Sequence, residues 1–190
     1  MDELISCILS QNTSDSNSFP AFFRMKEIYP KWQQIVNAGP EKIAEIIKSA
    51  GLANQKAKAI INCLTAIKKE TGDYNIDFLD NMPMKQARTW LEKLPGVGPK
   101  TSAIVLCFSF NKNAIPVDTH IFRVSKRLGF IPEKMDANKA HDHLLEVIPN
   151  EEAYNYHMLL IQHGRTICKA RKPLCEKCPL TQNCLWYKNN

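Results

Sequence analysis

An all-α fold is predicted by three observations. Apolar residues recur at helical spacing through most of the chain, no stretch of useful length alternates apolar and polar residues, and Gly, Pro and Asn/Asp signals break the pattern at intervals that suit helices of ordinary length. The 190 residues are 44% hydrophobic, enough to bury a core in one domain or two small ones. The most polar central break, Asn111-Lys112-Asn113, divides a six-helix domain over 1–112 from a further helical domain over 113–190.

The elements follow in order. Leu4, Ile5, Ile8 and Leu9 share one face of a helix that begins almost at residue 1 and ends in the polar run Ser10–Asp15. Ser18–Ile28 reads as a second helix with Phe19, Phe22 and Phe23 in the core, stopped by Tyr29-Pro30. Pro40–Ala50 is a third, ended by Gly51. Asn54–Thr71 is a fourth, with Asn54 as its N-cap, Gly72 as its terminator, and Lys56, Lys58, Lys68 and Lys69 on a solvated basic face. Ala87, Trp90, Leu91 and Leu94 mark a helix from Met84 to Lys93, and Pro99 opens another that runs to Phe110. Beyond the central break, helices are predicted over Thr119–Gly129, Asp136–Val147 and Glu151–Ile167, with Asp118 as the N-cap of the first.

Composition narrows the classes. The formal net charge is +6 and the pI about 8.9, a balance that suits a polyanionic partner. No apolar run is long enough to span a membrane, and Met1–Leu9 carries acidic residues where a signal peptide would be basic. The expected location is a prokaryotic cytoplasm. Of seven cysteines, Cys7, Cys63 and Cys107 lie alone in apolar helical surroundings and read as core residues of a protein kept in a reducing compartment.

Between the two central helices stands Leu94-Pro95-Gly96-Val97-Gly98-Pro99-Lys100-Thr101. Its alternate glycines allow a tight turn and bring bare backbone against a ligand. The first amides of the following helix lack internal partners and favour an anion. This is a helix-hairpin-helix pattern, suited to holding a nucleic-acid phosphate. Lys100 falls in the first turn, where the positive end of the helix dipole disfavours its ammonium form and favours the nucleophilic free amine. Asp118 stands at a second helix entrance. A lysine and a carboxylate so placed form a candidate site for attack on a sugar carbon. The C-terminal cysteines Cys168, Cys175, Cys178 and Cys184 are spaced C-x6-C-x2-C-x5-C. This differs from paired CxxC zinc knuckles, and by spacing alone an iron–sulfur cluster and an S4 zinc site both remain open.

Taken together, Leu9–Thr13, Leu94–Thr101, Val117–Arg123 and the cysteine tail resemble the endonuclease III branch of the helix-hairpin-helix DNA glycosylases, over nearly the whole chain. The resemblance implies a DNA-binding cleft between the two domains and a structural [4Fe–4S] cluster on the four cysteines, introduced by His163-Gly164-Arg165, with no metal in the chemistry. It makes Lys100 the nucleophile and Asp118 its helper. Gln11, Asn12 and Thr13 become the loop that enters duplex DNA, with either Gln11 or Asn12 filling the gap left by a flipped base. Leu94, Gly96, Val97 and Gly98 become the phosphate-binding turn, and Lys169, Arg171, Lys172 and Lys177 a basic surface laid along the backbone. His120 reads as a structural hydrogen-bonding residue.

The activity so implied is that of a bifunctional DNA glycosylase and AP lyase of base excision repair. It would act as a monomer on double-stranded DNA with a damaged base or an abasic site, and Lys100 favours oxidised pyrimidines as substrates. Two readings stand beside it: a monofunctional mismatch glycosylase for thymine, uracil or adenine, and a non-catalytic DNA-binding module. A zinc-stapled structural protein is a third. Relatives carry a further N-terminal helix beside the cluster domain, so the C-terminal domain is expected to expose more apolar surface here.

Overall fold

The computed structural model describes residues 1–189. They form two compact units, one over Met1–Phe110 and one from Asn111 onward. Among the described residues every regular element is helical, ten α-helices with short 3-10 turns between them. None is long and apolar enough to cross a membrane.

The first unit is built on α1 (Asp2–Ser10), whose Leu4, Ile5, Ile8 and Leu9 are fully buried. Each such side chain contributes about 1.5–3 kcal/mol of transfer free energy. α2 (Asp15–Ile28) begins earlier than its apolar pattern suggested and turns Ser18, Ala21, Phe22 and Met25 inward. Of the three phenylalanines expected in the core, only Phe22 is there. Phe19 and Phe23 are 50% and 66% exposed, because they stand on the neighbouring helical row.

α3 (Trp32–Ile46) also starts before the expected Pro40. Gly39, at φ 82°, breaks its axis, and Pro40 opens the second half. The amphipathic stretch before that kink is the part the sequence reading missed. A short 3-10 turn, Lys48–Ala50, leads to α4 (Ala53–Thr71). The N-cap of α4 is Leu52 in the left-handed region (φ 48°), and the expected cap, Asn54, lies inside the helix. Lys56 is likewise no part of a solvated face. It is 4% exposed, and its Nζ donates to the Ala50 carbonyl at 2.7 Å, capping the preceding turn from within. Lys58, Lys68 and Lys69 are exposed as expected.

α5 (Met84–Glu92) and α6 (Pro99–Phe110) form the hairpin. α6 buries Thr101, Ser102, Ala103, Val105, Leu106 and Cys107, residues from most of its circumference, and is packed by α1 and α5. Cys7, Cys63 and Cys107 are all buried free thiols.

In the second unit, α7 (Thr119–Leu128), α8 (Ala137–Val147) and α9 (Ala153–Thr166) enclose a core that includes Ile115, Ile121, Val124, Leu144 and Leu160. Asp136 caps α8 by accepting from the amides of Asn138 and Lys139 at 2.9 and 3.0 Å. α7 and α9 touch at a glycine: a Cβ on Gly164 would lie 2.9 Å from that of His120, so a larger residue would push the two helices apart. Tyr154, Met158 and Leu159 of α9 are exposed. The chain ends in the cysteine loop and a single-turn helix, α10 (Leu185–Lys188).

Candidate nucleic-acid interface and metal centre

In the first unit the candidate residues gather at the turn between α5 and α6. Leu94 and Val97 are buried, and the Val97 amide donates to the Leu94 carbonyl at 3.1 Å, closing the turn. Their side chains anchor the turn from below, and what it offers outward is backbone. Gly96 is exposed with φ 81°, and a Cβ there would meet that of Ala59 at 3.1 Å. Only glycine combines that conformation with that close approach. The carbonyl of Gly98 accepts from Ser102 to begin α6. Among the described residues, the amides of Gly96, Gly98 and Lys100 make no backbone hydrogen bond. Three unbonded donors at one helix entrance suit an anionic oxygen.

Lys100 is exposed at the start of α6, and among the described residues its amine has no hydrogen bond or ion pair. α1 lies nearby. Burial, and after it the Glu3 carboxylate, which accepts from the Cys7 thiol at 3.5 Å, hold that thiol well above its ordinary range, while the Lys100 charge pulls the other way. The sequence marked Cys7 as a core residue, and it did not mark Glu3, which looks there like an ordinary member of an amphipathic helix.

The loop after α1 divides its two amide side chains. Gln11 Nε2 donates to the Gly96 carbonyl at 2.8 Å and reaches Thr101 Oγ1 at 3.4 Å, which ties the end of α1 to the hairpin turn. Asn12 sits at φ 55° and is exposed, and Thr13 closes the turn through its amide to the Ser10 carbonyl at 3.3 Å.

In the second unit Asp118 caps α7. Its Oδ1 accepts from the Ile121 amide at 2.7 Å, which fixes the carboxylate at the helix entrance. His120 Nδ1 accepts from Arg123 at 3.2 Å. Arg123 also donates to the carbonyls of Gly164 at 2.9 Å and Cys168 at 3.1 Å. One turn on, Arg127 donates to Cys168 Sγ at 3.2 Å and to the carbonyls of Lys169 and Ala170, and stacks over Trp186. These arginines, four residues apart on one face of α7, grip the cysteine loop. Their spacing was visible in the sequence, but their targets were not.

Cys168, Cys175, Cys178 and Cys184 line one pocket. Burial pushes the Cys175 thiol up, and the other three cysteines push it further, with Arg127 opposing them. Four cysteines lining one pocket form a soft donor set that fits an iron–sulfur cluster. Lys169, Arg171, Lys172 and Lys177 are exposed on the same loop, with Lys172 at φ 53°.

Residues 5–150 match the family model described as HhH-GPD superfamily base excision DNA repair protein, and residues 168–184 match the iron-sulfur binding domain of endonuclease III. Endonuclease III of Thermotoga maritima is 35% identical over 97% of this chain and 82% of its own length. A protein of Arabidopsis thaliana is 38% identical over 90% of this chain, which spans 59% of the plant protein. Among solved structures, a trapped endonuclease III–DNA covalent intermediate superposes with a TM-score of 0.83 at 34% identity, covering 98% of this chain and 84% of that one.

Proposed function

This chain belongs to the HhH-GPD superfamily of base excision DNA repair proteins, and from that premise we propose that it is a bifunctional DNA glycosylase and AP lyase acting as a monomer on duplex DNA, with oxidised pyrimidines as its bases. The observation that carries the reading is the pairing of two features at one turn. The unbonded amides of exposed Gly96 and half-buried Gly98 stand next to an exposed lysine amine with no ion pair. A binding module would need the amides alone.

The chemistry follows from the residues. A stacked base is out of reach, so the nucleotide is flipped from the duplex. The hairpin amides hold a phosphate near the flipped nucleotide. Asn12 fills the gap, since Gln11 is already engaged with Gly96. The Lys100 amine attacks C1′. A nitrogen–carbon bond forms, the glycosidic bond breaks, and the base leaves with the bonding pair and takes up a proton. Asp118 assists by accepting the amine proton and steadying positive charge on the sugar. Ring opening gives an imine, which acidifies C2′. Loss of a C2′ proton then expels the 3′ phosphate, and the strand is cut. Lys169, Arg171 and Lys172 lie along the backbone and position the duplex without reading sequence.

A [4Fe–4S] cluster on Cys168, Cys175, Cys178 and Cys184 supplies cross-linking of a loop with too little apolar surface to fold alone. On this reading the protein works on the nucleoid in a prokaryotic cytoplasm.

Borohydride trapping tests the proposal. The protein is mixed with a duplex carrying one thymine glycol and with an abasic duplex, beside a Lys100→Ala variant. A covalent adduct on the thymine glycol duplex, absent from the variant, is the expected result. Base loss without an adduct or strand break would instead make this a monofunctional glycosylase. Binding with neither reaction would make it a DNA-binding module.

A further inference from the structure

The segment that delivers Asp118 is unusual. Ala114–Val117 is buried yet has no regular secondary structure. Buried backbone carbonyls outside helices must find partners elsewhere, because leaving one unpaired costs as much as a lost hydrogen bond. Two histidines supply them. His141 of α8 and His157 of α9 are 4% and 5% exposed. His141 Nδ1 donates to the Ile115 carbonyl at 3.1 Å, and His157 Nδ1 donates to the Pro116 carbonyl at 2.9 Å. A carbonyl only accepts, so each ring carries a proton on Nδ1.

The two acceptors are consecutive residues, and their donors come from different helices. Asp118 follows two residues after the second acceptor. Its cap bond to Ile121 fixes the carboxylate relative to α7. That bond leaves open how the entry of α7 sits against α8 and α9, and the two histidines close this remaining freedom.

We propose that His141 and His157 are positioning residues, which clamp the entry to α7 from two helices and thereby hold the Asp118 carboxylate in place for the reaction. The proposal rests on the reading above in which Asp118 assists Lys100. A misplacement of about 1 Å at a reacting group costs up to about a hundredfold in rate, so a clamp of this kind acts on the chemical step and leaves DNA binding alone.

The test uses the full chain with its cluster and compares His157→Leu, which removes the donor, with His157→Asn, whose amide nitrogen keeps a donor near the place of Nδ1. The same pair is made at His141. Single-turnover excision of thymine glycol, strand cleavage of an abasic duplex and duplex affinity are measured, with Asp118→Asn in parallel. The leucine variants are expected to lose about tenfold to a hundredfold in single-turnover rate with affinity within about twofold, and the asparagine variants to recover most of it.

Folded leucine variants that react at the wild-type rate, or asparagine variants as impaired as leucine, would overturn the clamp. Should leucine fail to fold, His157→Gln carries the test: it fills the site but sets its donor one bond further along, and wild-type excision by the folded variant would also refute the proposal. The two readings separate through Asp118→Asn. Wild-type activity there removes Asp118 from the mechanism and the clamp with it. An inactive Asp118→Asn beside fully active leucine variants removes the clamp alone.

Discussion

The side-chain amide of Gln11 donates to the carbonyl of Gly96 at 2.8 Å, joining residues 85 positions apart at the point where α1 ends and the hairpin turns. This bond divides two neighbouring amides that look interchangeable in the sequence. Gln11 holds the turn, and Asn12, exposed at φ 55°, is left to reach outward.

Replacing each in turn separates the roles. Gln11→Ala is expected to cost about 0.5–1.5 kcal/mol of stability, a drop of a few degrees in Tm for a chain of this size. Asn12→Ala is expected to leave Tm in place and to weaken binding to a duplex with an abasic site. Thermal melts and duplex titrations check both. A large loss of stability at Asn12 with none at Gln11 would reverse the assignment.

Arg127 makes a second prediction. Its donation to Cys168 Sγ, its bonds to the Lys169 and Ala170 carbonyls and its place over Trp186 are geometry that only a planar, multi-donor cation meets. Arg127→Leu and Arg127→Lys should both shed iron to a chelator faster than the wild type, with lysine giving little rescue. Decay of the visible absorbance follows the loss. A lysine variant as stable as the wild type would show that charge alone suffices.

Much of this architecture was legible because helices announce themselves by period and by their ends. Pro99 opens α6, Gly129 closes α7 and Asp118 caps it, each as its residue type dictates. The errors have physical causes. Phe19 and Phe23 fit the same apolar run as Phe22, and only packing decides which helical row turns inward. The first half of α3 was missed because Gly39 and Pro40 read as a boundary, whereas the chain kinks there and continues. At the site, Lys100 and Asp118 stood out by type and place. The ties from Gln11, Arg123, Arg127, His141 and His157 run to backbone atoms far away in the chain, and no local pattern encodes those.

Lys56 gives a dependence on pH. Burial lowers its pKa below the ordinary 10.5. In the window between that lowered value and 10.5 the unfolded chain binds more protons than the folded one, so this residue's contribution to stability rises with pH. At neutral pH the amine is charged in both states and its desolvation opposes folding, offset in part by the bond to Ala50. The stability of the wild type relative to Lys56→Met should therefore increase as pH approaches 10.5. Urea titrations of both proteins across that range test the sign, and a constant difference would mean that Lys56 titrates alike in the folded and unfolded chain.

Asp118 serves the fold and, on the proposed mechanism, the reaction, and two substitutions tell the roles apart. Asparagine caps helices about as well as aspartate and still offers an oxygen to the Ile121 amide. Asp118→Asn should thus keep Tm within about a degree, consistent with a cap change of a few tenths of a kcal/mol at most. It loses the negative charge, and with it the base that accepts the Lys100 proton, so strand cleavage at an abasic site should fall by about 10²–10⁴-fold. Alanine removes cap and charge together and should add a stability loss of about 1 kcal/mol. If Asp118→Asn cleaves like the wild type while Asp118→Ala is merely less stable, the residue is a helix cap alone. If both are inactive and only alanine melts early, the same carboxylate is both cap and catalytic group, with the cap bond holding its charge at the entrance of α7.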